Sequence, residues 1–238
     1  MLQNKYVGLI LYVFLTIVYI VSLCGLAGIG THLKKEILDS IDDKIKSLAK
    51  FQPYYFTIWN FVLQIVFSVT AILDESAKLL NLPIHIRKRL GRTRAVLFNA
   101  LLFPCTLLVA TVFWGIWHID RELIFPKIID EFFPTWLNHA VHTFIVVPLI
   151  VELLLPKQYS FVQFRNAAIV LTVYAAIYQG LYVWVYLRHG VWLYPIYKFM
   201  NWTERLIFTL VQLAVGLGYL KIGITLQNRK RAKIEKVR

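Results

Sequence analysis

The segment YVGLILYVFLTIVYIVSLCGLAGI, residues 6–29, contains no Asp, Glu, Lys or Arg. A run of roughly 20 apolar residues crosses the hydrocarbon core of a bilayer as a single helix. The run is longer than the apolar core of a signal peptide, about 7–15 residues, so it reads as a retained span. Residues 54–73, 95–117 and 167–187 are equally free of charge. Residues 134–155 carry one acid, Glu152, near their end; residues 206–226 carry only Lys221, placed to snorkel from the last turns. The chain therefore reads as all-α: a polytopic integral membrane protein with six transmembrane helices in one domain over residues 1–238.

Composition agrees. Hydrophobic residues make up 58% and charged residues 16%, against about 25% charged in an average globular chain, and mean hydropathy is +0.61. A soluble globular protein is excluded. The net charge of +13 does not point to nucleic acid. Much of the excess lies in two clusters, Arg87-Lys88-Arg89 with Arg92 and Arg94, and Arg229-Lys230-Arg231 with Lys233, Lys236 and Arg238. Both flank apolar runs, where basic side chains orient spans and meet anionic lipid headgroups. Counted by alternation, the side holding both termini carries 16 Lys and Arg against 10 on the other, which places both termini in the cytoplasm. Cys24 and Cys105 both fall inside apolar runs and read as small packing residues, with neither disulfide nor zinc spacing.

Between the first two spans, Leu33, Ile37, Leu38, Ile41, Ile45 and Leu48 recur every three or four residues among Lys, Asp and Glu. This pattern predicts an amphipathic helix over 31–50, lying in the membrane interface or serving as a solvated connector. The sequon Asn201-Trp-Thr203 stands at the threshold of the sixth span and is expected to stay unmodified. Pro104 and Pro148 do not pair as the matched helix breaks of a transporter.

Polar groups inside a span are costly, so they mark packing or function. In the second span Thr57, Asn60, Gln64 and Ser68 share one helix face; interhelical hydrogen bonding is the expected role of the last three. The fourth span opens with Asn138, His139 and His142, the two histidines being i and i+3 neighbours. General base, metal ligand pair and proton relay all suit such a pair. A metal requires further ligands, and His118, Asp120, Glu122 and Asp130 are near in sequence without a recognised ligand spacing. Both spans start on the same side, so Thr57 and His142 lie at similar shallow depth. A hydroxyl and an imidazole meeting at that depth are the groups that nucleophilic attack on a lipid ester requires.

The segments Phe113-Trp114, Asp120-Arg121-Glu122 with Pro126-Lys127 and Asp130, and Trp136-Leu-Asn138-His139-Ala-Val-His142-Thr143 carry a family resemblance, joined by Thr57-Ile-Trp-Asn60, Gln64, Phe103-Pro104 and Gly190-Val-Trp192-Leu-Tyr194-Pro195. On these residues, from about Tyr54 to Pro195, the chain resembles the androgen-induced membrane hydrolase family. Pro53-Tyr54 departs from the Trp-Lys pair associated with that position. The resemblance implies a six-span membrane enzyme that cleaves fatty acid esters of hydroxy fatty acids. Thr57 is then the nucleophile and His142 the general base, with Asn60, Asn138, His139 and Asp120 as possible supporting residues. Either Asn138 or Asp120 is placed to orient the base. The expected partners are a lipid ester substrate and membrane lipids, with no cofactor and no metal, in the plasma membrane or the endoplasmic reticulum and endomembranes. The competing class is a non-enzymatic carrier or lipid-binding scaffold that uses the histidines as relay or packing.

The charge bias generates the first prediction. Tags at both termini are expected to be cleaved by protease added to the cytoplasmic side of sealed vesicles; protection of both would reverse the orientation.

Overall fold

The computed structural model describes residues 6–36, 50–155 and 162–236. Those residues are all helical apart from turns and short connections, and six helices are long and apolar enough to cross a membrane. The first two spans are α1 (Val7–Glu36) and α2 (Phe56–Leu79). The third is α3 (Ile84–Val96), running through a π-helical stretch at Leu97–Leu102 into α4 (Phe103–Asp120). The fourth is split into α5 (Thr135–His142) and α6 (Val147–Leu154). The fifth and sixth are α7 (Phe164–His189) and α8 (Trp202–Lys236).

The hydropathy pattern determines which face of each rod turns inward. Ile10, Phe14, Ile17 and Val21 of α1 and Val62, Val66, Val69 and Leu73 of α2 are exposed at helical spacing, as lipid-facing stripes. Behind them Tyr12 and Tyr19 are buried edge-on against Phe67 and Phe61, with centroids 6.0 and 5.1 Å apart.

The helices outrun the apolar segments. Residues 74–94, expected as a loop, are the last turns of α2, a short turn and all but the end of α3. Charge ends a hydrophobic run but not a helix, because Lys, Arg and Glu are good helix formers. The basic cluster from Arg87 to Arg94 therefore rides on the first turns of the third span. Of the helix expected over 31–50, residues 37–49 lie outside the described residues. Cys24 is exposed and Cys105 buried, and both are free thiols.

Both irregular spans carry a proline. Pro104 follows the π-helical stretch and Pro148 the 3-10 turn Phe144–Val146 that separates α5 from α6. A proline has no N–H for the carbonyl one turn earlier and its ring crowds that carbonyl, which displaces the local ladder. In a bilayer the freed groups need partners within the protein. Gln64 Nε2 donates to the Ile145 carbonyl at 3.1 Å and Tyr19 Oη to the Phe144 carbonyl at 3.4 Å. Gln64 Nε2 also donates to Thr106 Oγ1 at 2.8 Å, and Thr106 Oγ1 to Asn60 Oδ1 at 3.1 Å. The polar stripe of the second span thus serves the irregular backbone of the fourth.

At the end of the bundle that holds both termini, Arg94 is only 2% exposed. Its Nη1 donates to Asp74 Oδ2 at 2.9 Å and to Glu75, and its Nη2 to Glu152 Oε2 at 2.7 Å. Tyr12 Oη donates to the same Glu152 carboxylate, and the guanidinium carbon lies 4.8 Å from the Tyr12 ring centroid. Lys78 adds an ion pair to Asp74 at 2.6 Å. One guanidinium joins α1, α2, α3 and α6. Lys230 of α8 donates to the Leu153 and Leu155 carbonyls at the end of α6, a cationic cap on a helix C-terminus.

Asn201 has a local role. Its Oδ1 accepts the Glu204 N–H at 3.0 Å, and Glu204 Oε2 accepts the Asn201 N–H at 2.7 Å. This capping box starts α8. Gly223 permits α8 to approach α4: a Cβ there would stand 2.9 Å from Phe103 Cδ1.

Removing one partner from a buried ion pair leaves uncompensated charge, at a cost of about 3–5 kcal/mol. Arg94→Leu is therefore expected to lower the melting temperature of the detergent-purified protein markedly. An unchanged melting temperature would show that Arg94 does not clamp the bundle.

Candidate active site

The opposite end of the bundle holds the residues singled out for chemistry. Thr57 lies in the first turn of α2 and His142 is the last residue of α5, where the fourth span breaks. Thr57 Oγ1 is 3.4 Å from His142 Nε2. His142 Nδ1 is 2.7 Å from Asn138 Oδ1 and 3.1 Å from the Asn138 carbonyl oxygen. The ring lies flat on Phe113, with centroids 3.5 Å apart and planes 4° from parallel. One turn of α5 therefore fixes the tilt and height of the imidazole, and Phe113 of α4 fixes its plane. The carbonyl of Asn138 can only accept, so Nδ1 carries the proton and Nε2 turns a free lone pair toward Thr57. The sequence hydroxyl, imidazole, amide follows the nucleophile–base–orienter arrangement. The hydroxyl–imidazole separation exceeds the usual 2.6–3.2 Å of such pairs, which commonly tighten only when substrate is bound.

The supporting candidates separate. Asn138 is buried against the base. His139 points elsewhere: its Nδ1 is 3.1 Å from Thr143 Oγ1, its ring packs on Trp114, and Trp114 Nε1 donates to the same hydroxyl at 3.2 Å. Asn60 belongs to the hydrogen-bonded chain through Thr106. Asp120 is exposed and accepts the Glu122 N–H at 2.9 Å, capping a 3-10 turn, while Asn138 is the residue at His142 Nδ1. The neighbouring acids are also engaged in the loop, Asp130 with Arg121 at 2.8 Å and Glu122 with the Lys127 N–H at 2.9 Å. Among the described residues no three His, Cys, Asp or Glu side chains converge as metal ligands.

The dyad opens into a cavity of about 380 Å³. Its walls are mainly apolar, including Leu108 and Val112 of α4, Leu171 and Ala175 of α7, and Leu213 of α8. Thr172 and Ala176, also on its wall, are exposed on the flank of α7. The cavity thus reaches the bilayer-facing surface as well as the dyad.

The Gly190–Pro195 turn also borders the site, through contacts of Tyr194 that the sequence does not specify. Gly190, at φ 67°, ends α7 in the left-handed conformation that glycine tolerates. The chain then turns back, and Trp192 stacks on Tyr186 at 3.8 Å. This places Tyr194 beside the start of α2, where the Phe56 N–H lies 3.1 Å from Tyr194 Oη and 2.9 Å from Tyr178 Oη. Burial holds the Tyr194 phenol above its ordinary pKa, partly offset by hydrogen bonds from Tyr178 and Phe56. The available signal was the Gly190–Pro195 turn opening on the same side as Thr57.

The FAR-17a/AIG1-like protein family model matches residues 14–228. The chain is 34% identical to the androgen-dependent TFPI-regulating protein of Mesocricetus auratus over 184 residues, covering 76% of this chain and 78% of that protein. It is 31% identical to the Homo sapiens protein of the same name over 212 residues, 85% and 90% of the two chains. It is 31% identical to the Homo sapiens androgen-induced gene 1 protein over 163 residues, 65% and 67% of the two chains. No solved structure matches it.

The geometry makes a prediction independent of activity. Nitrogen-15 NMR of histidine-labelled protein is expected to show neutral His142 protonated at Nδ1. A proton on Nε2 would remove the acceptor for the Thr57 hydroxyl.

Proposed function

The chain belongs to the FAR-17a/AIG1-like family, and on that footing we propose that it is a membrane-embedded hydrolase of fatty acid esters of hydroxy fatty acids. The observation that carries this reading is the Thr57–His142–Asn138 chain at the mouth of an apolar cavity inside the spans. The resemblance to androgen-induced membrane hydrolases assigns the same two residues.

The chemistry needs little more than these groups. Substrate comes laterally from the bilayer along the flank of α7, its acyl chains among Leu108, Val112 and Leu213 and its ester beside Thr57. His142 Nε2 takes the Thr57 proton as Oγ1 attacks the ester carbonyl. Collapse of the tetrahedral adduct breaks the ester C–O bond, and His142 returns the proton to the departing hydroxyl of the hydroxy fatty acid. Water, deprotonated by His142, then attacks the acyl carbonyl, the acyl–Oγ1 bond breaks to release a fatty acid, and His142 returns the proton to Thr57 Oγ1. Asn138 keeps the base in the required tautomer, and Phe113 shields one of its faces. With both termini cytoplasmic, this chemistry takes place near the opposite face of the membrane.

Kinetics on the purified protein in lipid nanodiscs, with a fatty acid ester of a hydroxy fatty acid, tests the reading. General base catalysis contributes about 10²–10⁴-fold, so Thr57→Ala and His142→Ala are each expected to lower kcat/KM by at least about 10²-fold. Because the two act as a unit, the double variant is expected to lose little more. Thr57→Ser keeps the hydroxyl and is expected to retain turnover. A fully active Thr57→Ala protein would end the proposal.

A further inference from the structure

Acyl transfer requires a donor for the negative charge that develops on the carbonyl oxygen, and in most hydrolases this is the largest single stabilising contribution. The sequence offers no Gly-rich loop for the purpose. Proton accounting at the mouth of the cavity identifies one side chain that fits. The Phe56 N–H is shared by the Tyr178 and Tyr194 oxygens, and these two hydroxyls lie 3.4 Å apart. Thr57, the next residue along α2, lines the same cavity as Tyr194. The lone pairs of the Tyr194 oxygen therefore face the first turn of α2. With Tyr178 as the donor of the Tyr178–Tyr194 pair, the Tyr194 proton is free for the cavity that Tyr194 and Thr57 both line. Thr57 commits its own proton to His142 Nε2.

We propose that Tyr194 is the oxyanion donor of this site: its hydroxyl donates to the ester carbonyl oxygen when substrate binds. This rests on the hydrolase reading above and adds the group that reading lacks. The attacked carbonyl carbon sits about 3–3.5 Å from Oγ1 in a reactive pose, so its oxygen lies in the cavity that Tyr194 also lines, beside the start of α2 where the Tyr194 hydroxyl is held. No proton is transferred; the hydrogen bond strengthens as the carbonyl becomes an alkoxide and relaxes when the adduct collapses. The Phe56 N–H at the start of α2 donates to the phenol oxygen, which polarises its O–H toward the substrate and passes the positive end of the helix dipole on to the oxyanion. Position is secured by packing: the Tyr194 ring meets Tyr55 edge-on at 5.3 Å and Tyr182 face-on at 6.0 Å. The adjoining segment is held by Arg205, which donates to the Tyr197 carbonyl at 3.1 and 2.9 Å and covers Trp192.

The test is Tyr194→Phe, which keeps the ring and deletes the donor. Loss of one oxyanion donor costs about 10²–10³-fold in kcat, and KM is expected to change little because the bond matters chiefly in the transition state. Two inhibitors separate this role from a structural one. A long-chain trifluoromethyl ketone forms an oxyanion adduct with Thr57, whereas the ether analogue of the substrate cannot. Tyr194→Phe is expected to weaken the ketone by a factor similar to the loss in kcat and to leave the ether unchanged. That ratio is measured within one variant, so it holds even if less of the variant is folded. Equal weakening of both inhibitors, or wild-type kcat, would overturn the role of Tyr194. If wild-type kcat in Tyr194→Phe accompanies inactive Thr57→Ala and His142→Ala, the hydrolase reading stands without it. If those two variants are active, or the wild-type protein cleaves no such ester, both ideas fall together.

Discussion

A guanidinium buried among apolar helices has to be neutralised where it sits, and Arg94 gathers Asp74, Glu75 and Glu152 around itself to achieve this. The geometry is demanding, because Glu152 meets Arg94 through both carboxylate oxygens, at 2.7 and 3.3 Å, and also accepts from Tyr12. Apolar packing alone lets helices slide, since lipid tails compete on equal terms with side chains. A four-helix ion cluster does not. It fixes how far α1, α2, α3 and α6 are shifted along their axes. The consequence is felt at the far end. Asp74 and Thr57 are separated by 17 positions of one helix, about 25 Å at 1.5 Å per residue. A rigid rod anchored at Asp74 therefore determines the height at which Thr57 meets His142.

The same rule, that no backbone polar group in lipid goes without a partner, accounts for the other half of the site. His142 reaches Thr57 because α5 stops there, and Gln64 and Tyr19 donate to the Ile145 and Phe144 carbonyls at that break. The buried amides of α2 are thus structural in their contacts and functional in their effect. They support a helix end, and that end carries His142. The second irregular span contributes through Phe113, which follows the π-helical stretch and lies flat against the imidazole.

Much of this was legible in the sequence, for identifiable reasons. Six spans follow from charge-free runs whose length matches the bilayer. The nearness of Thr57 and His142 follows from alternation, since both stand a turn or two inside spans that start on one side. The ion cluster was not legible. Asp74, Glu75 and Arg94 fall between the charge-free runs and read as loop residues, and Glu152 alone gives no hint of its partners. Choosing between Asn138 and Asp120 needed a helix turn in three dimensions: i and i+4 on α5 put the Asn138 amide on Nδ1, while Asp120 bends back to its own loop. Tyr194 lies more than a hundred positions from Thr57, and only the fold of the Gly190–Pro195 turn joins them.

The central claim is that Thr57 becomes transiently acylated. Its most direct test is rapid acid quenching of the protein with a fatty acid ester of a hydroxy fatty acid, followed by peptide mass spectrometry. The account predicts a burst of free hydroxy fatty acid and a matching acyl mass on the peptide containing Thr57. Turnover in which that peptide never gains mass, or in which the acyl group sits on another side chain, would contradict it.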